Sequence, residues 1–173
     1  MMVSFLPRVT MIAVILSSIV GCTATTRDSD SGSPLDAPKR IEISGLSVEY
    51  PADWYATRQG ATVYDGEGIL VTSYPLSDRG YVAARENRPP GGVLLMIMDV
   101  QPAAEYLADP MVVARPARLG FGGRGSFEGL GDGYRVAFRD NGHAVVVYGA
   151  FDEDTEPTER DAAVATLNSI SVG

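Results

Sequence analysis

Residues 134–149 read YRVAFRDNGHAVVVYG. Asn141 and Gly142 sit between two runs of strand-forming residues. Both accept a positive φ, which a two-residue type I′ hairpin turn requires at its two central positions. With 141–142 as the loop, Asp140 pairs with His143, Phe138 with Val145, Val136 with Val147 and Tyr134 with Gly149. One face of the ribbon is then aromatic and β-branched. The other carries Arg135, Ala137 and Arg139 opposite Tyr148, Val146 and Ala144, with small apolar residues suited to a helix lying across part of it.

The flanking sequence extends this pattern. Residues 93–100, VLLMIMDV, are almost continuously apolar, the mark of a strand covered on both faces. Leu46, Val48 and Tyr50 alternate with Ser47 and Glu49, predicting a strand with one buried face that ends at Pro51. Trp54 opens another strand after the turn at 51–53, and Gly60 separates it from Ala61–Tyr64. Asp65-Gly66 then turns into a strand over Ile69–Leu76. The spacing of Ala163, Leu167 and Ile170 places one apolar stripe on a helix over 156–169. Pro157 fits its first turn, Asp154 or Thr155 can cap it, and Glu156, Glu159 and Asp161 lie near its positive end. A short helix is expected at Ala103–Ala108. Together these predict an α+β domain over 40–173, an antiparallel sheet with a C-terminal helix packed on it.

The chain has 173 residues, with 14 basic and 22 acidic side chains and a net charge of −8. An acidic balance argues against nucleic acid, whose phosphates attract basic surfaces, and against electrostatic docking onto anionic lipid. The one cysteine, Cys22, excludes an internal disulfide, so the domain must rely on its apolar core.

Cys22 ends a distinctive front segment. Residues 1–8 include Arg8, and residues 9–20, VTMIAVILSSIV, form an apolar stretch too short to span about 30 Å of hydrocarbon. That length suits the apolar region of a secretory signal. Ile19-Val20-Gly21-Cys22 resembles a bacterial lipobox. The resemblance implies that residues 1–21 are removed and that Cys22 carries a diacylglyceryl thioether, making it the lipid attachment site. Competing readings are a cleaved signal with an incidental cysteine and an uncleaved membrane helix. Cleavage would move the charge from −8 to −9, since residues 1–21 hold Arg8 and no acid. Residues 23–38, TATTRDSDSGSPLDAP, are polar and read as a tether, so that 22–39 comprise the lipidated cysteine and linker. Sixteen such residues reach roughly 20–25 Å on average. The linker stretch Asp28–Gly32 lacks the twelfth-position glutamate of a calcium loop, where Lys39 stands.

Gly45-Leu46-Ser47-Val48-Glu49-Tyr50-Pro51-Ala52-Asp53-Trp54 resembles the opening of PsbP-like domains and of LpqN-like lipoproteins. Residues 163–173, AVATLNSISVG, look like their ending, a long helix and a short closing segment. The resemblance implies a PsbP-like α/β/α sandwich acting as a non-catalytic binding or assembly module. It transfers framework positions only, so no catalytic, cofactor-binding or metal residue is assigned.

The residues themselves offer few sites for chemistry. His143 is the only histidine, and its position after a turn predicts an exposed hairpin residue. Ser126 has Arg124 rather than glycine two residues before it, so no nucleophile elbow is present. Gly120–Gly125 matches G-x-G-x-x-G, but Ser126–Gly133, SFEGLGDG, does not read as the helix that a dinucleotide site needs next. Seven glycines over 120–133 predict a long surface loop instead. Asp152–Glu156 reads as helix-capping acids rather than a calcium loop. Arg85, Arg88, Arg115, Arg118 and Arg124 read as solvated, the alternative being an anion-binding surface. The resulting expectation is a membrane-anchored exported module. Its membrane contact runs through Cys22, its partner is an envelope protein, lipid or wall polymer, and it takes no nucleic acid and no cofactor. The location is the extracytoplasmic face of the cell membrane. In a two-membrane cell it would be the outer membrane, because Thr23 is not aspartate. The alternatives are a carrier holding a small apolar ligand near Val93–Met98 and Leu167, and a hydrolase built on His143 with a hydroxyl and a carboxylate.

Overall fold

The computed structural model describes residues 37–60, 67–76, 80–100, 113–127 and 131–173. Cys22, the tether up to residue 36, the expected strand at 61–64 and the expected helix at 103–108 lie outside these.

The hairpin forms in the expected register. Strand β8 (Gly131–Asp140) pairs antiparallel with β9 (His143–Ala150), with Asp140 opposite His143 and Tyr134 opposite Gly149. Asn141 and Gly142 have φ of 46° and 83°, as a type I′ turn demands. The Asn141 amide also donates to the Val172 carbonyl at 2.6 Å, tying the turn to the last strand.

Around the hairpin lies a mostly antiparallel sheet. Its further members are β3 (Tyr55–Gln59), β4 (Gly68–Thr72), β5 (Leu94–Val100), β6 (Val113–Ala114) and β7 (Arg124–Phe127). The order is β3-β4-β5-β9-β8-β6, with β7 also paired to β8 and β6 running parallel to it. All seven residues of β5 are buried. Its even and odd positions divide between two apolar clusters, Leu95 and Ile97 on one face and Leu94, Met96 and Met98 on the other. A second sheet holds β1 (Lys39–Ile43), β2 (Leu46–Tyr50) and β10 (Ser171–Val172), in the order β1-β2-β10.

Two helices complete the fold. Helix α1 (Tyr81–Glu86) places Ala84 in the cluster of Ala144, Val146 and Tyr148, so a helix does lie on that face of the hairpin. Helix α2 (Pro157–Ser169) contributes Ala163 and Leu167 to the cluster that joins Leu46, Val48 and Trp54 to Phe138, Val145 and Val147. The fold is therefore α+β, with a C-terminal helix packed on a sheet. Among the described residues no helix is long and apolar enough to cross a membrane.

Several local expectations are corrected. The strand after residue 68 stops at Thr72 rather than Leu76, because the Thr72 hydroxyl donates to the Tyr74 carbonyl at 2.7 Å and turns the chain. Neither Asp154 nor Thr155 caps α2. Glu156 holds the N-cap without a side-chain bond, while the Thr155 hydroxyl accepts from the Asp152 amide at 3.0 Å. The glycine-rich segment is not one long loop. Its described part enters β7, which folds back on β8, with Ser126 opposite Asp132. Gly133 is required there by crowding, because a Cβ would sit 2.6 Å from both the Gly149 carbonyl oxygen and the Tyr148 ring.

Candidate binding groove

The two sheets each present an edge strand on the same side of the domain, β1 from one and β3 from the other. Charge on such edges blocks edge-to-edge pairing with other chains. Arg58 on β3 spans the gap, its Nε donating to the Glu42 carbonyl of β1 at 2.8 Å. Between the edges runs an open cleft of about 760 Å³ lined by Lys39, Arg40, Arg58, Tyr50, Trp54 and Tyr55 among others.

The electrostatics of this cleft differ from those of the chain. Lys39 Nζ donates to the Trp54 carbonyl at 3.4 Å, and Arg40 donates to the Ser47 hydroxyl at 2.8 Å. With Arg58 on a backbone carbonyl, all three cations rest on uncharged acceptors. Among the described residues no carboxylate lines the cleft. Edge protection requires charge but not positive charge, and this chain has more acids than bases. The aromatic residues split in role. Trp54 is buried in the core, while Tyr55 is 43% exposed. Burial raises the Tyr50 phenol above its ordinary value, keeping it a neutral hydrogen-bonding group.

Tyr50 also lines a second cleft of about 320 Å³ between β2 and α2. Its wall is mostly apolar, with Pro38, Pro51, Ala162 and Ala165, but Glu49 also lines it. The two clefts flank the junction at which the chain enters β1.

The residues singled out in the sequence fall elsewhere. His143 is not an exposed hairpin residue. Its Nδ1 lies 2.8 Å from Asp99 Oδ2, with the His143 side chain 21% exposed and that of Asp99 9%. The pair forms because Asp99 lies near the end of the buried strand β5, where a carboxylate needs a polar partner. The other carboxylate oxygen, Oδ1, is buried and has no hydrogen-bond partner among the described residues. Ser126 cannot complete a triad with them. It is opposite Asp132, eight residues along β8 from the partner of His143, a separation of about 27 Å at 3.4 Å per residue. Gly120–Gly125 runs into a strand rather than a helix, so the dinucleotide geometry is not formed.

Asp152 is no solvated cap. It takes both guanidinium nitrogens of Arg88, at 2.8 and 2.9 Å. That bond holds its carboxyl below the ordinary aspartate value. Arg115 bonds Asp140 at 2.9 Å and lies over the Phe138 ring, 5.2 Å from its centre. These two arginines are at opposite ends of β9 and make no common anion-binding surface. Arg85, Arg118 and Arg124 are exposed.

Leu167 shares one apolar cluster with Leu95 and Ile97, so side chains occupy the space between helix and sheet proposed for a carried ligand. Among the described residues no three histidine, cysteine, aspartate or glutamate side chains are grouped to hold a metal ion. The groove escaped sequence reading because its cations come from separate strands. The visible signal was the alternation of Arg40 and Glu42 with Ile41 and Ile43, immediately after the polar tether.

No family model matches the chain, and neither a curated protein nor a solved structure matches it.

Proposed function

We propose that the chain is an exported lipoprotein, acylated at Cys22, whose domain acts as a non-enzymatic binding or assembly module at the cell envelope. The extracytoplasmic face of the cell membrane is its place, or the periplasmic face of the outer membrane in a two-membrane cell. Support for the anchor comes from Arg8, the apolar run at 9–20 and Ile19-Val20-Gly21-Cys22, with a polar tether after them. Two acyl chains, at about 0.8 kcal/mol per buried methylene, suffice for stable anchoring.

The finer architecture proposed is a PsbP-like α/β/α sandwich. It is supported by Tyr50-Pro51 leading to a buried Trp54, and by a long terminal helix leading into β10, which pairs with β2. The observation that carries the binding reading is the open groove between β1 and β3, with three cations free of carboxylate partners among the described residues. Affinity capture from intact envelopes tests it, using the native protein and a Lys39→Gln/Arg40→Gln/Arg58→Gln variant. The expected result is a reproducible protein, lipid or glycan that the variant fails to retain. Recovery of the same material by both, or of none, contradicts the reading.

A further inference from the structure

We propose that the face around residue 38 is a membrane-contact surface that seats the phosphodiester headgroups of anionic phospholipids in the β1–β3 groove. The orientation part of this argument rests on the anchor at Cys22; the chemistry of the groove does not.

Three observations converge on that face. The groove supplies Lys39, Arg40 and Arg58, each resting on an uncharged acceptor and so electrostatically available. The adjoining cleft between β2 and α2 supplies apolar wall, from Pro38, Pro51, Ala162 and Ala165, with the exposed Glu49 as its one carboxylate among the described residues. Tyr50 lines both clefts and Tyr55 stands 43% exposed beside the cations. Tyrosine, with an apolar ring and a polar tip, favours the headgroup level of a bilayer. Cations beside apolar surface match a lipid interface, where phosphates lie above glycerol and acyl carbons.

The tether reinforces the choice of occupant. Sixteen residues separate Cys22 from β1, and a random coil of that length averages roughly 20–25 Å end to end. A domain of this size has a radius of gyration near 14 Å and is therefore about 35–40 Å across. A coil of that length would hold the face around residue 38 nearer to an acylated Cys22 than the opposite end of the domain.

The charge of −9 on the chain from residue 22 opposes this contact overall, but charges farther than about 8 Å are screened at physiological ionic strength. Glu49, exposed and opposite Arg40 across β1 and β2, offsets one of the three cations. Each lysine or arginine held at an anionic surface contributes about fivefold in partitioning, so the two cations left in excess favour contact by about 25-fold. Strand addition by an acidic polypeptide is less well served. The Arg58 guanidinium already occupies the Glu42 carbonyl on the outer edge of β1.

The test uses the chain from residue 22 with Cys22→Ser, so that no acyl group contributes. It is sedimented with vesicles of phosphatidylcholine alone or mixed with phosphatidylglycerol. At low salt, binding to the mixed vesicles should exceed binding to phosphatidylcholine by at least about tenfold and vanish at high salt. Lys39→Gln/Arg40→Gln/Arg58→Gln should abolish the difference. The exposed triple Arg118→Gln/Arg124→Gln/Arg139→Gln, with the same change in net charge, should retain it. Hydrogen exchange on the unsubstituted chain gives a readout independent of any variant's folding. Amides of 39–43 and 55–59 should slow on phosphatidylglycerol vesicles only. Equal binding to both vesicles, equal loss in both triples, or unchanged exchange overturns the proposal. So does binding to soluble polyglutamate without binding to vesicles, which would assign the groove to an acidic polypeptide. Because the protein tested carries no lipid, its failure leaves the acylation of Cys22 standing, and a free thiol at Cys22 leaves the groove's chemistry standing.

Discussion

Replacing Asn168 with alanine tests how the end of α2 is locked to the rest of the domain. The Asn168 side-chain oxygen accepts the Leu119 amide proton at 2.8 Å. Its nitrogen donates to the Leu119 and Val164 carbonyls at 2.9 and 2.8 Å. Leu119 is only 4% exposed, so alanine leaves a poorly hydrated N–H and C=O without partners. Each such orphan costs about 1–3 kcal/mol, and the better helix propensity of alanine returns about 0.5 kcal/mol. With two orphans, the net loss is about 1.5–5.5 kcal/mol. For a domain of about 135 residues, unfolding entropy near 2.1 cal/mol/K per residue converts 1 kcal/mol to about 3–4 °C. The midpoint of thermal unfolding, measured by circular dichroism, should therefore fall by about 5–19 °C. Asn168→Asp keeps the acceptor for Leu119 but sets a carboxylate oxygen against the Leu119 and Val164 carbonyls in the last turn of α2, and at neutral pH should melt no higher than the alanine variant. An alanine variant melting within about 2 °C of the unsubstituted protein would overturn this prediction, since the lost bonds would then contribute nothing net.

Two further outcomes rest on the packing and the charges. Gly133→Ala should destabilise by about 3 kcal/mol, because the new methyl collides with the Gly149 backbone and the Tyr148 ring inside the sheet. Gly122→Ala, with nothing within 4 Å, should stay within about 0.5 kcal/mol in the same denaturant titration. Glu159 has its carboxyl raised above the ordinary value, first by burial and then by Asp53, against a lowering hydrogen bond from Trp54. A raised acid contributes stability that is present below its unfolded value and lost as pH rises through the folded one. Glu159→Gln should therefore melt at or above the unsubstituted protein at neutral pH, with the gap closing as pH falls through the carboxylate range. A gap that widens in acid contradicts this assignment.

How legible the fold was depends on whether the deciding contact is local. The hairpin register came from Asn141-Gly142 alone, because a type I′ turn fixes every cross-strand pair. The burial of β5 came from an apolar run too continuous for a half-exposed strand. The span of α2 came from Pro157 and the spacing of Ala163, Leu167 and Ile170. Its cap did not, since Thr155 is used by the preceding turn at Asp152, which only the folded chain shows. The pairing of His143 with Asp99 was half visible. A carboxylate near the end of VLLMIMDV demanded a partner, but the match across β5 and β9 becomes apparent only when those strands are adjacent. Glycines over 120–133 read as a loop because composition does not distinguish freedom from crowding; at Gly133 the cause is crowding. The groove was least legible. Lys39, Arg40 and Arg58 converge through edges of two different sheets, and no periodicity within one strand encodes that.

In the function proposed above, acyl chains on Cys22 hold an acidic domain at a membrane, with its basic groove on the tethered side. Mass spectrometry of the protein extracted from the membranes of its own cells tests this most directly. The expected result is an amino-terminal peptide beginning at Cys22 and heavier by a thioether-linked diacylglyceryl group. A free sulfhydryl at Cys22, within a chain that still carries residues 1–21 or is recovered entirely in soluble fractions, would contradict it.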